Sequence, residues 1–257
     1  MGRGRLVPVP HPTLLVLRAL ARHRGPVAAG HLARETGIPR ASLYRALADL
    51  RETGFVTHLP EEQQWMLGLA AFELGFAYSR QESLQRLGRP VVRRLVDEVQ
   101  QNAHLAVLHG TDVLYLAEER APRRPSLVTD VGVRIPAPWT ASGLAVLAAL
   151  PREQVRALFP DAGSFVASRG DHPHRAPDTP QALRRALVAV RADGIARERD
   201  TVTAGLASVS VAVADASGHP VAAVAVTFEH ARTEPAEVTA LEAAVRAAAE
   251  DVERRLR

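Results

Sequence analysis

The sequence predicts an α/β (α+β) protein of two domains, and three observations carry that reading. Its 257 residues are many for one compact domain and suit one small domain plus one medium domain. The stretch 1–67 reads as helix, short helix, tight turn, helix and hairpin. From residue 83 onward, runs that alternate with a period of two are interleaved with runs of helical spacing.

The first helix lies in Pro12 to Arg22, where Leu14, Leu15, Leu17, Leu20 and Ala21 recur at helical intervals until Gly25-Pro26 breaks the chain. A short helix, Ala28 to Thr36, buries Leu32 and Ala33, and Gly37-Ile38-Pro39 turns the chain. The third helix, Arg40 to Glu52, stops at Gly54 and carries one apolar stripe of Leu43, Ala46, Leu47 and Leu50. Two apolar runs, Phe55 to Leu59 and Trp65 to Leu67, flank the polar Pro60 to Gln64 and predict a hairpin. Together these make a winged helix-turn-helix.

That architecture suits DNA, because a helix about 10–12 Å across fits the major groove of B-DNA. The stripe of the third helix leaves Ala41, Arg45 and Ala48 on the opposite face, with Ser42, Tyr44 and Asp49 at its flanks and Arg40 at its start. Ala41 permits close approach, Arg45 can reach a guanine edge or a phosphate, and Ser42 and Arg40 suit the backbone. The plainer alternative is a three-helix packing unit with a solvated outer face. The acidic tip Glu61-Glu62 makes the hairpin a poor phosphate binder. Arg3 and Arg5 could enter a minor groove or belong to a disordered terminus.

Gly68 to Ser79, with Leu69, Phe72, Leu74 and Phe76, reads as a linker helix too apolar to stand uncovered, which predicts an oligomer. The expected domains are therefore 1–67, a linker at 68–82, and 83–257. In the last, helices are expected at Leu84 to Val99, Thr140 to Leu150, Arg152 to Phe159, Thr179 to Ala192 and Glu234 to Leu256. Strands are expected at His104 to His109, Val113 to Glu118, Ala207 to Asp215 and Val221 to Phe228, and a surface loop at Ala162 to Pro177. In the last strand pair Val209, Val211, Val213, Val224, Val226 and Phe228 form the large-residue faces. Ser208, Ser210, Ala212, Ala223, Ala225 and Thr227 form the small ones. The large face should pack on helices. The small face either lies under a helix or leaves room for a ligand, with hydroxyls to hold it.

Composition narrows the function. Without cysteine there are no disulfides, thiolate metal sites or cysteine nucleophiles. No signal-peptide pattern and no membrane-length apolar run occur, so a soluble cytoplasmic protein is expected. All 32 basic residues are arginine, a sign of coding bias, and a net charge of +4 means that any nucleic-acid face is local. No cofactor and no metal ligand set is expected: His172-Pro173-His174 beside Asp171 reads as a polar loop, and no group has triad spacing. Of the acid/base candidates His104, His109, Glu118, Glu198 and Asp200, His104 in its apolar strand reads as a core or pocket-rim residue.

The chain resembles the IclR-type transcriptional regulators along nearly its whole length. The resemblance is carried by His31 to Leu47, Gly54-Phe55-Val56, Trp65 to Gly68, His104 to Leu108, Thr140 to Gly143, Asp193-Gly194-Ile195 and Gly205 to Val209. It implies a GAF-like second domain, a central antiparallel sheet with helices, that binds a small effector. It further implies homodimers or tetramers on palindromic double-stranded operators, in a family of repressors and activators; here a repressor that is not an enzyme is expected. The alternatives are a DNA-binding scaffold whose second domain only dimerises, and a metabolite-processing enzyme. By resemblance, the effector contacts fall at Ala141, Ser142, Glu198, Ser208 and Thr227. Against the family pattern Leu144 replaces a common lysine, Pro138-Trp139 a common His-Ala, Glu198 an aspartate, and Ala225 lacks a hydroxyl. These departures add Trp139 to the expected contacts. They point to an organic acid or aromatic metabolite larger than the smallest acids.

Overall fold

The computed structural model describes residues 11–23, 25–74, 83–122, 124, 129, 131–168 and 176–257. The chain divides into two compact units, Met1–Gln81 and Glu82–Arg257.

The first unit holds α1 (Pro12–Leu20), β1 (Val27–Ala28), α2 (Ala29–Thr36), α3 (Arg40–Glu52), β2 (Val56–Leu59) and β3 (Gln64–Leu67). The apolar positions of the three helices meet as one core, in which Val16, Leu32, Leu43 and Leu47 are fully buried. Gly37 ends α2 at φ 68°, a left-handed backbone that a side chain would strain, and so sets the turn into α3. The hairpin is antiparallel, with Val56 opposite Leu67 and Leu59 opposite Gln64. β1 was not legible in the sequence. It pairs Val27 with Trp65 and makes the wing a three-stranded sheet of order β1-β3-β2. Residues 69–74 are helical, with Leu69, Phe72 and Leu74 70%, 69% and 62% exposed. Residues 75–82 of the expected linker, Phe76 included, and the basic tail with Arg3 and Arg5 lie outside the described residues.

The second unit begins with α4 (Ser83–Val99), β4 (Asn102–His109), β5 (Asp112–Glu119) and β6 (Arg134–Pro136). A 3₁₀ turn (Ala137–Trp139), α5 (Ala141–Ala149), α6 (Arg152–Leu158), a second 3₁₀ segment (Ala162–Ser168) and α7 (Pro180–Asp193) follow. The unit closes with β7 (Ala196–Arg199), β8 (Leu206–Ala214), β9 (Pro220–Glu229) and α8 (Pro235–Leu256). The six strands form one sheet of order β6-β5-β4-β9-β8-β7, and every neighbouring pair is antiparallel. Val209, Val213, Val224, Val226 and Phe228 pack on α4 and α8 through Val92, Leu95, Val245 and Val252. The opposite face, with Ala106 and Ala223, packs on α5 and α7 through Leu144, Leu147, Leu183 and Leu187. Ala141 to Ala148 of α5 are all buried, as expected of a helix apolar on every side. Its last carbonyls are held by Arg191, whose Nε donates to Ala148 O at 2.7 Å.

The expected loop Ala162 to Pro177 needs correction. Its first part is 3₁₀ helix, and Phe165 is only 1% exposed, packed on Phe159 with ring centroids 5.2 Å apart. One buried aromatic among small and polar neighbours has no periodicity to betray it. Asp171, His172 and His174 lie outside the described residues. Among the described residues, no helix is long and apolar enough to cross a membrane.

Candidate functional site

Two surfaces carry functional chemistry. The first is the outer face of α3. Packing of Leu43, Ala46, Leu47 and Leu50 into the core leaves Arg40, Ala41, Ser42, Tyr44 and Arg45 exposed together, with Tyr44 55% exposed. The helix begins at Pro39 with no side-chain cap, so its first-turn amides face solvent with the positive end of the helix dipole. Among the described residues neither Arg40 nor Arg45 is committed to a salt bridge. An uncapped helix start flanked by uncommitted guanidinium groups is a phosphate- and base-edge-binding arrangement. His58 stacks on Trp65 at 4.4 Å between ring centroids, so it braces the wing from within.

The second surface is a cleft in the larger unit between the start of α5 and the small-residue face of β8 and β9. The cavity between its lining atoms is about 20 Å³, room for about one water, so a larger ligand enters only as the lining side chains part. Thr140 Oγ1 accepts from the Gly143 amide at 2.8 Å and caps α5. No helical carbonyl stands behind the amides of Ala141 and Ser142. Across from them runs a chain of polar groups. Ser208 Oγ donates to Glu198 Oε1 at 2.6 Å, Thr227 Oγ1 lies 2.9 Å from Ser208 Oγ, and His104 Nε2 lies 3.3 Å from Thr227 Oγ1.

The protons of this chain can be assigned by elimination. Ser208 has one proton and gives it to Glu198, so Thr227 donates to Ser208 and His104 Nε2–H donates to Thr227. His104 Nδ1 is then a bare lone pair, buried and without a partner among the described residues. Burial pushes the His104 pKa down to about 4, with the nearby Arg120 charge adding to the effect, so the ring is neutral near pH 7. At the other end, the Thr201 hydroxyl donates to the Trp139 carbonyl at 2.6 Å, which can only accept. Glu198 Oε2 also accepts at the Thr201 hydroxyl, very close by, and from the Thr201 backbone amide at 3.4 Å. Burial raises the Glu198 pKa, against the opposing pull of its hydrogen bonds from Ser208 and Thr201. Burial thus works toward the uncharged form of Glu198, which lessens the repulsion of an anion held at the open amides of α5.

Ala141, Ser142, Glu198, Ser208 and Thr227 are thus brought together around one cleft. Trp139 is not brought in with them. Its side chain belongs to the apolar cluster around α5, and its carbonyl meets the polar chain through Thr201. The aromatic residue lining the cleft is Tyr115, whose ring meets His104 edge-on at 5.6 Å. Burial first, and then the Glu198 and Glu118 carboxylates, push its phenol pKa up, so the hydroxyl stays protonated. Thr129 also lines the cleft, and its buried Oγ1 has no partner among the described residues. Sequence reasoning missed Tyr115, Thr129 and Thr201. Strand alternation flagged β5 without its facing, and nothing local marks the two threonines.

Both units of the chain resemble known proteins. Residues 13–60 match the family model of the IclR helix-turn-helix domain, and residues 76–254 match that of the bacterial transcriptional regulator IclR C-terminal region. The transcriptional repressor IclR of Escherichia coli (strain K12) is 26% identical over 241 residues, covering 93% of this chain and 86% of that protein. The structure of an IclR transcriptional regulator from Alicyclobacillus acidocaldarius superposes with a TM-score of 0.83 at 18% identity, over 97% of this chain and 100% of that one. An IclR homologue from Microbacterium hydrocarbonoxydans, complexed with 4-hydroxybenzoate, gives 0.76 at 22% identity, over 96% and 98%. The two structures share the fold. With family models spanning both units, this chain belongs to the IclR family of bacterial transcriptional regulators, which read DNA through a helix-turn-helix.

Proposed function

We propose that the protein is an effector-controlled repressor. It binds a palindromic operator as a homodimer or tetramer through Arg40, Ala41, Ser42, Tyr44 and Arg45, and it changes operator affinity when a small organic acid or aromatic metabolite fills the cleft. The observation that carries the reading is the unfinished hydrogen bonding of the cleft. Among the described residues the buried His104 Nδ1 and Thr129 Oγ1 have no partner, and the α5 amides of Ala141 and Ser142 open opposite Ser208 and Thr227. A buried polar atom left bare costs about 1–3 kcal/mol, which a ligand recovers by supplying the partner. A carboxylate suits the amides, and an aromatic body suits the Tyr115 wall. The 4-hydroxybenzoate bound by the Microbacterium relative has both parts.

A sensor is favoured over an enzyme because the candidate nucleophile and base are occupied or weak. The Ser208 hydroxyl is given to Glu198, and a histidine with a pKa near 4 is a poor base near pH 7. The reading also places the protein in the cytoplasm, where its operator is. To test it, an operator is first selected from a random duplex library. Aromatic and aliphatic acids, 4-hydroxybenzoate among them, are then titrated into the complex in gel-shift assays and into the protein by calorimetry. The expected result is one class of acid that binds and shifts operator affinity about 5–150-fold, the usual range of allosteric coupling. Acids that bind without altering operator affinity, or that are chemically turned over, would overturn it.

A further inference from the structure

In the first unit, three metal-ligating side chains converge on the side of α2. His31 and Glu35 are four residues apart and share one helix face. The chain leaving α1 turns back and sets His23 against that face. His23 Nε2 lies 2.8 Å and His31 Nε2 3.9 Å from the same oxygen, Glu35 Oε2. The two imidazoles meet edge-on with centroids 5.3 Å apart, and the donor atoms of the three residues all lie within 4.8 Å of one another. Among the described residues this is the one group of three such ligands.

We propose that His23, His31 and Glu35 bind a divalent transition metal of the zinc class, with water as the fourth ligand. Tetrahedral zinc, with bonds of about 2.0–2.2 Å to nitrogen and oxygen, holds its donor atoms roughly 3.3–3.5 Å apart. The two imidazole-to-carboxylate separations, 2.8 and 3.9 Å, straddle that value, so small side-chain rotations seat the ion. Two imidazoles and one carboxylate are a donor set for zinc, nickel or copper rather than calcium or magnesium. The second Glu35 oxygen, Oε1, faces Arg22 at 3.7 Å, so the carboxylate can give Oε2 to the metal and keep an outer partner on Oε1. Without metal the cluster is an ordinary surface pairing of modest worth. With metal it ties the end of α1 to α2, the helix that packs beside the reading helix α3, and stiffens the head.

The test uses the full-length protein, stripped with chelator, near neutral pH. Cobalt(II) is titrated while its visible absorption is followed, and zinc(II) is then added in competition. The expected result is saturation at one metal per chain, with intense four-coordinate cobalt bands that zinc abolishes. His31→Ala and Glu35→Gln each weaken binding by at least about tenfold, while the metal-free melting temperature stays at the wild-type value. No saturable binding, binding unchanged in both variants, or binding lost only in His172→Ala/His174→Ala would overturn the proposal.

Discussion

Gly143→Ala sets two effects of opposite sign against each other at the mouth of the cleft. Alanine is a better helix former than glycine, by about 0.8–1 kcal/mol in a helix interior. At Gly143, however, a Cβ would stand 2.2 Å from the carbonyl oxygen of Ala137, 2.5 Å from its Cα and 2.6 Å from its carbonyl carbon. All three are backbone atoms of the 3₁₀ turn, and Ala137 is fully buried, so no side chain can swing aside. Relief requires the turn and α5 to part by roughly 1 Å in a part of the core closed on every side. Overpacking of this kind costs about 1–3 kcal/mol, and a backbone clash belongs at the upper end. The net expectation is a loss of about 2 kcal/mol, or about 4–8 °C in melting temperature for a domain of this size. The same shift moves the amides of Ala141 and Ser142, so effector affinity should fall on the order of tenfold or more. Gly30→Ala in α2 is the control, because its Cβ meets nothing closer than an Arg34 guanidinium nitrogen at 3.8 Å. It should stabilise by up to about 1 kcal/mol. Differential scanning fluorimetry and calorimetry measure both variants. A Gly143→Ala protein that melts at or above the wild-type temperature and binds effector normally would refute the reasoning.

Arg45→Ala should weaken operator binding by about 1–3 kcal/mol without changing the melting temperature, because the side chain is exposed and packs on nothing the core needs; gel shifts at fixed salt read it, and unchanged affinity removes Arg45 from the reading face. Ser208→Phe should fill the cleft and abolish the effector response while operator binding persists, so a variant that still responds places the effector elsewhere. His104 has a folded pKa of about 4 against an ordinary 6.5, so its contribution to stability is complete above the unfolded value and is lost as pH falls from 6.5 toward 4. Between pH 6.5 and about pH 5 that loss is about 2 kcal/mol. His104→Gln should therefore show a shallower fall in urea midpoint over that window than wild type, and parallel profiles would contradict the assignment. Replacing Leu69 and Phe72 together by glutamate should shift an oligomer toward monomer in sedimentation, since these large apolar side chains stand exposed in the isolated chain; an unchanged sedimentation coefficient would exclude that surface from the interface.

The sequence alone determined the parts whose faces are written in local periodicity. The stripe Leu43, Ala46, Leu47 and Leu50 defines which side of α3 is buried, and therefore which residues stand exposed on the other. The alternation in β8 and β9 sorts valines toward α4 and α8 and Ser208 and Thr227 toward the cleft, because a strand offers only two faces. Segments with no period of their own were decided by partners distant in the chain. β1 is two residues long and is a strand only because Trp65 lies across from Val27. β6 contains a proline, and β7 reads Ala-Arg-Glu-Arg. Both are edge strands held by a single neighbour, where proline and charge are tolerated. The choice between Trp139 and Tyr115 as the aromatic of the cleft was tertiary in the same way. The 3₁₀ turn directs the indole into the core, and the pairing of β5 with β4, with its register shift between Leu105 and Ala106, settles where Tyr115 stands. The meeting of His23 with His31 and Glu35 likewise depends on how the chain turns between α1 and α2. Periodicity fixes the direction of a side chain relative to its own element. What it meets there depends on contacts between elements, and those form only when the whole unit closes.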